Sequence, residues 1–559
     1  MIRLICWVAL ALTLTALPAA AQSDESAMER LVQLLVKNGV LTPDQAKSLA
    51  AQARSEASAG EGAAGAASPG SPGGTSKPKP VGPGTVRVTH VPETVRKQIV
   101  AEVKQQVMQQ ATEEGWAEPN TIPGWTQRIR VLGDVRVRGE FDKYPRGNFN
   151  AFPDFNAINA TSNGYDSNSG VNPPTLNSAQ DRTRTRLRVR LGVAAQVTDW
   201  VSTEIRIATG SDRSPISTNQ TLGAGGDFSK YTLWLDRAAI VLRPAESVTL
   251  SAGRVNNPFW TSDLVFDDDL GMDGGAANWR FNVADGLGGF LTMGGFPVFN
   301  TDFSFGSTNL TKTRSRDSWL LAIQGGTEWK PPERAYTARV ALGFFAFTNI
   351  DGKLSSPCVA PTSYGSCDTD YTRAPWIQYG NTVFPVRSIV ASSGATTAQP
   401  QFYGLASRFN LINLHAEAVY RGFGAVALRP EIDVVQNIGF NRTRIAQRGP
   451  VNNLGANNAF VGSGTGYMMR LTAGQLTLTQ AWDWNTAIAY KYVGSDAVID
   501  ALTDGRFHLG GTNAKGYVLT GNLALGPNIW LTGSWSSTDA VSGPPHSIDT
   551  LVFDLSARF

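Results

Sequence analysis

Arginine keeps to one parity in two stretches. Arg128, Arg130, Arg136 and Arg138 alternate with Ile129, Val131, Val135 and Val137. Arg182, Arg184, Arg186, Arg188 and Arg190 lead into Leu187, Val189, Leu191 and Val193 on the opposite parity. A third group is acidic: Asp263, Asp267, Asp268, Asp269 and Asp273. Clustered carboxylates suit a hard cation, although the twelve-residue calcium-loop pattern is missing. Carboxylates facing a row of guanidiniums across water do something else. They make a transverse field that orients polar solutes and turns away apolar ones. Such a field needs the two groups to lie on opposite sides of one interior. The plainer alternative is a solvated surface loop beside arginines that only keep an interior wet.

Catalytic constellations are missing. The histidines, His90, His415, His508 and His546, are scattered without metal-protease spacing, and no nucleophile-elbow pattern surrounds any serine. His508 with nearby Asp504 is the sole acid–histidine pairing worth weighing for a hydrolase. No cofactor motif and no metal site are expected, and no enzyme. The charged rows carry no basic cluster with interleaved aromatics, so nucleic acid is not expected as a partner.

The elements that must carry the arginines have a period of two. Between 127 and 141 one parity is apolar and the other charged, and residues 182–197 repeat the habit. Strands of soluble sandwiches average about 5–6 residues, and these are about twice that. Trp319 to Trp329 places aromatic residues ten steps apart on one face, about 33 Å along a strand, or about 25 Å of height once tilted. That is the apolar band of a membrane barrel between its aromatic girdles. The fold expected is therefore an all-β transmembrane antiparallel barrel of about sixteen strands after an α-helical N-terminal extension. Short turns (Thr198-Asp199, Gly526-Pro527) alternate with long connections (142–181, 210–230, 255–275, 350–400, 494–511). Residues 401–412 and 415–440 are read as two of the strands, and a bulge is expected at Asp236-Arg237.

Composition agrees. Of 559 residues only 17% are charged, with formal net charge +3, while Gly reaches 57, Trp 14 and Tyr 13. After residue 21 no apolar run is long enough for a membrane helix. Residues 1–21 read as a signal peptide with a basic start, an apolar stretch from Leu4 to Leu17 and Ala19-Ala20-Ala21 before the cut. A plug-bearing transporter of some 22 strands does not fit, because residues 22–126 are helical and linker-like. They divide into a helical hairpin (22–57), an Ala/Gly/Ser/Pro linker (58–84) and a helical region (85–126). In the last, Val95, Ile99, Val103 and Val107 form one stripe, for a coiled coil between subunits or for packing within the chain. Once Cys6 leaves with the signal, Cys358 and Cys367 remain. They form a disulfide in an oxidising compartment, or stay as two thiols.

The chain resembles the putative porins of Gram-negative outer membranes that carry a helical extension before the barrel. The stretches carrying this are LLVKNGVLTPDQA, RIRVLGDVRVRGE, LDRAAIVLRP, GRVNNPFWTSDLVFDDDLGMDGGA, YKYVGSDAVIDALTDGRFHLGGTNAKGY and the terminal FDLSARF. The third to fifth are the specific ones. The resemblance implies an outer-membrane diffusion channel for small hydrophilic solutes or ions, with lipid and lipopolysaccharide around it. Phe559, ending an alternating strand, resembles the signal read by the barrel-assembly machinery. By analogy with general porins, a homotrimer is expected, with the acidic loop folded into the pore opposite the arginines. A structural alternative stands beside the channel: a barrel that tethers a periplasmic arm to peptidoglycan or a partner protein.

Overall fold

In the computed structural model, described for residues 103, 105–107, 126–212, 214–300, 316–332, 335–359, 361–390 and 398–559, a single sheet closes on itself. Its members are β1 (Ile129–Lys143), β2 (Arg182–Thr198), β3 (Val201–Ala208), β4 (Trp234–Ala245), β5 (Val248–Asn256), β6 (Gly271–Ala284), β7 (Leu287–Phe299) and β8 (Ser318–Trp329). They continue as β9 (Tyr336–Thr348), β10 (Asn410–Phe423), β11 (Val426–Asn437), β12 (Thr465–Gly474), β13 (Trp484–Val493), β14 (Ala514–Gly526), β15 (Ile529–Ala540) and β16 (Ser547–Arg558). Every neighbour is antiparallel, and β1 pairs with both β2 and β16, which completes the barrel. The seventeenth member of the sheet is the two-residue piece Gln220–Thr221, which leans on β2 alone. The signal peptide, the helical hairpin, the linker and most of the 85–126 helical region lie outside the described residues. Val103 and Gln105–Val107 are helical, and Val103 and Val107 are exposed.

The alternation explains the closure. Along β1, Val131, Val135 and Val137 are exposed on the outer wall, while Asp134, Arg138, Glu140 and Asp142 are buried inside. The outward row of β8 is Trp319, Leu321, Ile323 and Trp329. The expected bulge is present: Arg206 pairs with Arg237 and Ile207 with Leu235, so Asp236 is the extra residue.

Two strand assignments need correction. Phe402, Tyr403 and Leu405 do not belong to the barrel. They are buried in a loop, and Tyr403–Leu405 pairs with Val383–Pro385. The wall strand starts at Asn410 and turns at Gly424, whose φ of +67° suits glycine. Residues 438–464 form a further long loop with a short helix, α2 (Arg442–Gln447).

Long loops gather at one end: L1 (144–181), L2 (209–233), L3 (257–270), L5 (349–409), L7 (494–513) and L8 (541–546) matter below. They do not stand clear of the barrel. L1 carries α1 (Phe155–Ala160), capped by Asp154, and buries Phe155 and Ile158. Phe259, Leu264, Val265 and Phe266 of L3, with Val498, Ile499 and Phe507 of L7, pack on inward residues Phe296, Leu320, Phe345, Val435 and Met468. One side of the interior is thus a hydrophobic core rather than the wet lumen expected all round. Burial of that much apolar surface, at about 25 cal/mol per Å², fixes the loops inside.

Candidate functional site

The β1–β2 register sets the basic wall. Asp134 lies opposite Arg190, Arg136 opposite Arg188, Arg138 opposite Arg186, Glu140 opposite Arg184 and Asp142 opposite Arg182. Because carboxylates of β1 and β16 stand among the arginines, this wall is a lattice and not a bare positive face. Arg138 forks onto Asp554 at 2.7 and 2.8 Å. Arg182 reaches Asp142 at 3.4 Å, Arg184 pairs with Glu140, and Arg186 reaches Glu140 at 3.2 Å. Arg188 and Arg190 hold Asp134 at 2.9 and 2.5 Å. Arg136 donates to Asn219 of L2 at 2.6 Å. The buried Nε–H groups of Arg136, Arg182, Arg184 and Arg186 have no acceptor among the described residues, so donor capacity remains on this wall. Arg128 and Arg130 are exposed near the short-turn end and do not join the lattice.

L3 faces it. Asp269 bonds Arg190 at 3.0 Å, Arg188 at 3.5 Å and Thr218 at 3.0 Å. Burial opposes its charge, but Arg188 and Arg190 hold its carboxyl below the usual range. Asp267 accepts from the backbone N–H of Asp269 at 2.8 Å and of Gly505 at 2.9 Å. Burial, helped by the charge of Asp504, pushes its pKa up to about 7. Asp263 binds Arg470 of β12 at 2.7 Å and Lys491 of β13 at 2.8 Å. These two cations outweigh its burial and keep it well below the carboxylate range. Asp268 makes no ion pair or hydrogen bond among the described residues and is exposed in the lumen. Burial of its surroundings and the charge of Asp263 raise its pKa. Asp273 is the exception in the acidic group. It belongs to β6, shares outward parity with Trp279 and Phe281, and pairs with Arg254 of β5 at 3.0 Å. It therefore has no place in the constriction, because the loop ends at Leu270 and strand parity turns the side chain out.

Two lumenal cavities flank this loop. One, about 560 Å³, lies between the arginine wall and Asp267 to Asp269. The other, about 390 Å³, is bounded by Arg470, Glu431, Asn485 and Asn522. They share Arg138, Asp263, Asp268, Arg506, Thr550 and Val552. These six residues line the junction of the two cavities, called the eyelet below. Arg506, from L7, is absent from the sequence-based set, as are Lys491 and Arg470, and Asp504 was weighed there only as a partner of His508. The available signal was parity: Lys491 lies between outward-facing Tyr490 and Tyr492 and must point inward.

The remaining candidates resolve differently. His508 does not meet Asp504. Its Nδ1 lies 2.9 Å from Thr538 Oγ1 and its Nε2 3.2 Å from His546 Nδ1. Burial lowers the pKa of both rings, that of His546 to about 4. Cys358 and Cys367 are disulfide-bonded in L5. Among the described residues no group of three or more His, Cys, Asp or Glu is arranged to hold a metal ion. Phe559 exchanges two backbone hydrogen bonds with Gly133, both 3.0 Å.

The family described as putative porin matches residues 25–559. No curated protein matches the sequence. Similar solved structures include Pseudomonas putida OprB at high pH, with 10% identity over 78% of this chain and 95% of that one, at a TM-score of 0.41. The outer membrane channel DcaP of Acinetobacter baumannii shares 9% identity over 77% and 97%, at 0.35. An anion-selective porin from Comamonas acidovorans shares 8% over 77% and 99%, also at 0.35.

Proposed function

The chain belongs to the putative porin family and is an outer-membrane channel for solutes, and from that premise we propose that the eyelet selects what passes. Small hydrophilic solutes and ions diffuse past Arg138, Asp268 and Arg506, with a mild preference for anions. The observation that carries this reading is the pair of lumenal cavities meeting at one charged ring. Seven arginines and five carboxylates line the larger cavity, and burial pushes the pKa of one of those carboxylates, Asp267, up to about 7. A low-dielectric wall focuses that positive excess onto permeating ions. In this reading the long loops face outward, the N-terminal extension lies in the periplasm, and three copies assemble through the Val103 and Val107 stripe.

The test is the reversal potential of single channels in a KCl gradient. Arg186→Glu should move it toward cations and Asp268→Asn toward anions. A potential unmoved by both substitutions would place the selective point elsewhere.

A further inference from the structure

The stretch from Tyr490 to Tyr517 is among the most specific parts of the sequence, yet the eyelet takes only Arg506 from it. Asp504 of this stretch and Asp263 of L3 meet on one lysine. Lys491 points inward from β13 with 2% of its side chain exposed. Its Nζ lies 2.5 Å from Asp504 of L7 and 2.8 Å from Asp263 of L3. The second oxygen of Asp263 takes Arg470 of β12. One buried ammonium therefore binds to the wall both loops that bring Asp268 and Arg506 into the lumen.

The two loops are also joined to each other. Asp504 N donates to Asp263 O at 3.1 Å, Thr503 Oγ1 to Leu264 O at 2.9 Å, and Gly505 N to Asp267 Oδ2 at 2.9 Å. None of these bonds reaches β13. The first part of L3 has its own anchors, Trp260 on Gln324 and Ser262 on Asp433. From Asp263 onward, the charged anchors of L3 are Lys491 and Arg470 at one end and Arg188 and Arg190 at the other, with Leu264, Val265 and Phe266 packed in the core between them.

We propose that Lys491 is a positioning residue for permeation: it holds L3 and L7 as one body at a fixed distance from the wall and so sets the aperture of the eyelet. Without the ammonium, the carboxylates of Asp263 and Asp504 would face each other with one counter-charge fewer. Like charges in a low-dielectric site repel, and the joined loops would draw away from β13. The proposal rests on the eyelet being the selective point.

The experiment is single-channel recording of Lys491→Met in planar bilayers, with the polymer exclusion limit read from graded polyethylene glycols. The expected result is a larger exclusion limit, flickering current and a reversal potential moved toward cations. Lys491→Arg should restore a quiet current. Lost charge alone would also move the potential, so the double variant K491M/D504N separates the two causes. It removes one charge of each sign: the potential should return toward wild type while the exclusion limit stays enlarged. If Lys491→Met does not assemble, Asp504→Asn, which leaves the wall charge in place, should enlarge the limit to a smaller extent, because Asp263 still ties the joined loops to Lys491. An unchanged exclusion limit in the assembled variants overturns the clamp. Should Asp268→Asn shift the potential in that case, the eyelet reading survives without it. If neither substitution has an effect, the eyelet reading itself fails.

Discussion

Arg190 of β2 and Asp269 of L3 meet at 3.0 Å, an ion pair that joins the arginine wall to the loop crossing the lumen. Both side chains are less than a fifth exposed, so salt screens the pair less than a surface pair. Asp134 holds Arg190 from the other side at 2.5 Å. Neutralising the loop partner with Asp269→Asn should leave Arg188 and Arg190 on Asp134 alone. The lumen gains net positive charge, and the reversal potential should move toward anions. The loss of a charged hydrogen bond, about 1.5–3 kcal/mol, should loosen L3 and raise current noise.

Asp267 gives the channel a pH dependence. Its pKa of about 7 lies above the ordinary carboxyl value of 3.8. The packed loop therefore keeps a proton that an unpacked loop would release. Packing is most favoured at low pH and loses that advantage as pH rises from about 4 to about 7. Over the upper part of that window the lumen also gains a negative charge. Anion preference should weaken as pH is raised through 7, and Asp267→Asn should remove that step. Identical pH curves for the two proteins would exclude Asp267 as the titrating group.

L5 has a separate internal support. Arg387 forks onto Asp370 at 2.7 Å to each oxygen, both side chains essentially unexposed, and also donates to the carbonyls of Asn163, Ser363 and Pro400. Removing one partner of a buried pair costs about 3–5 kcal/mol. Arg387→Met should make L5 sensitive to added protease while the barrel stays heat-modifiable on gels. Reducing Cys358–Cys367 should act in the same place more weakly. Two alkylatable thiols in the unreduced protein would show that the bridge does not form.

The barrel seam depends on a glycine. A Cβ on Gly133 would come within 2.4 Å of the Phe559 ring. Gly133→Val should displace that ring and lower the yield of assembled, heat-modifiable barrel, as deletion of Phe559 should. Wild-type yields from both variants would remove the terminal residue from any part in assembly.

Local alternation was enough to show that a barrel forms and which way most of its charges point. Period-two alternation is a local property: once Val135 and Val137 face lipid, Arg136 and Arg138 must face in. The bulge at Asp236 was visible for the same reason, as a break in parity. Local pattern also misled where a buried loop imitates a strand, as at Phe402, Tyr403 and Leu405, because a loop folded into a barrel buries apolar residues as a strand does. It misplaced Asp273, whose side depended on where β6 begins. Only the tertiary structure decided which charge meets which. Arg138 and Asp554 are 416 residues apart in sequence and become partners because closure brings β16 beside β1. Lys491, Asp263 and Asp504 converge because L3 and L7 both fold inward to bury apolar side chains against the far wall. Strand parity fixes the side of the wall on which a residue lies. The stagger of the strands and the burial of the loops fix the distances, and those distances make the eyelet.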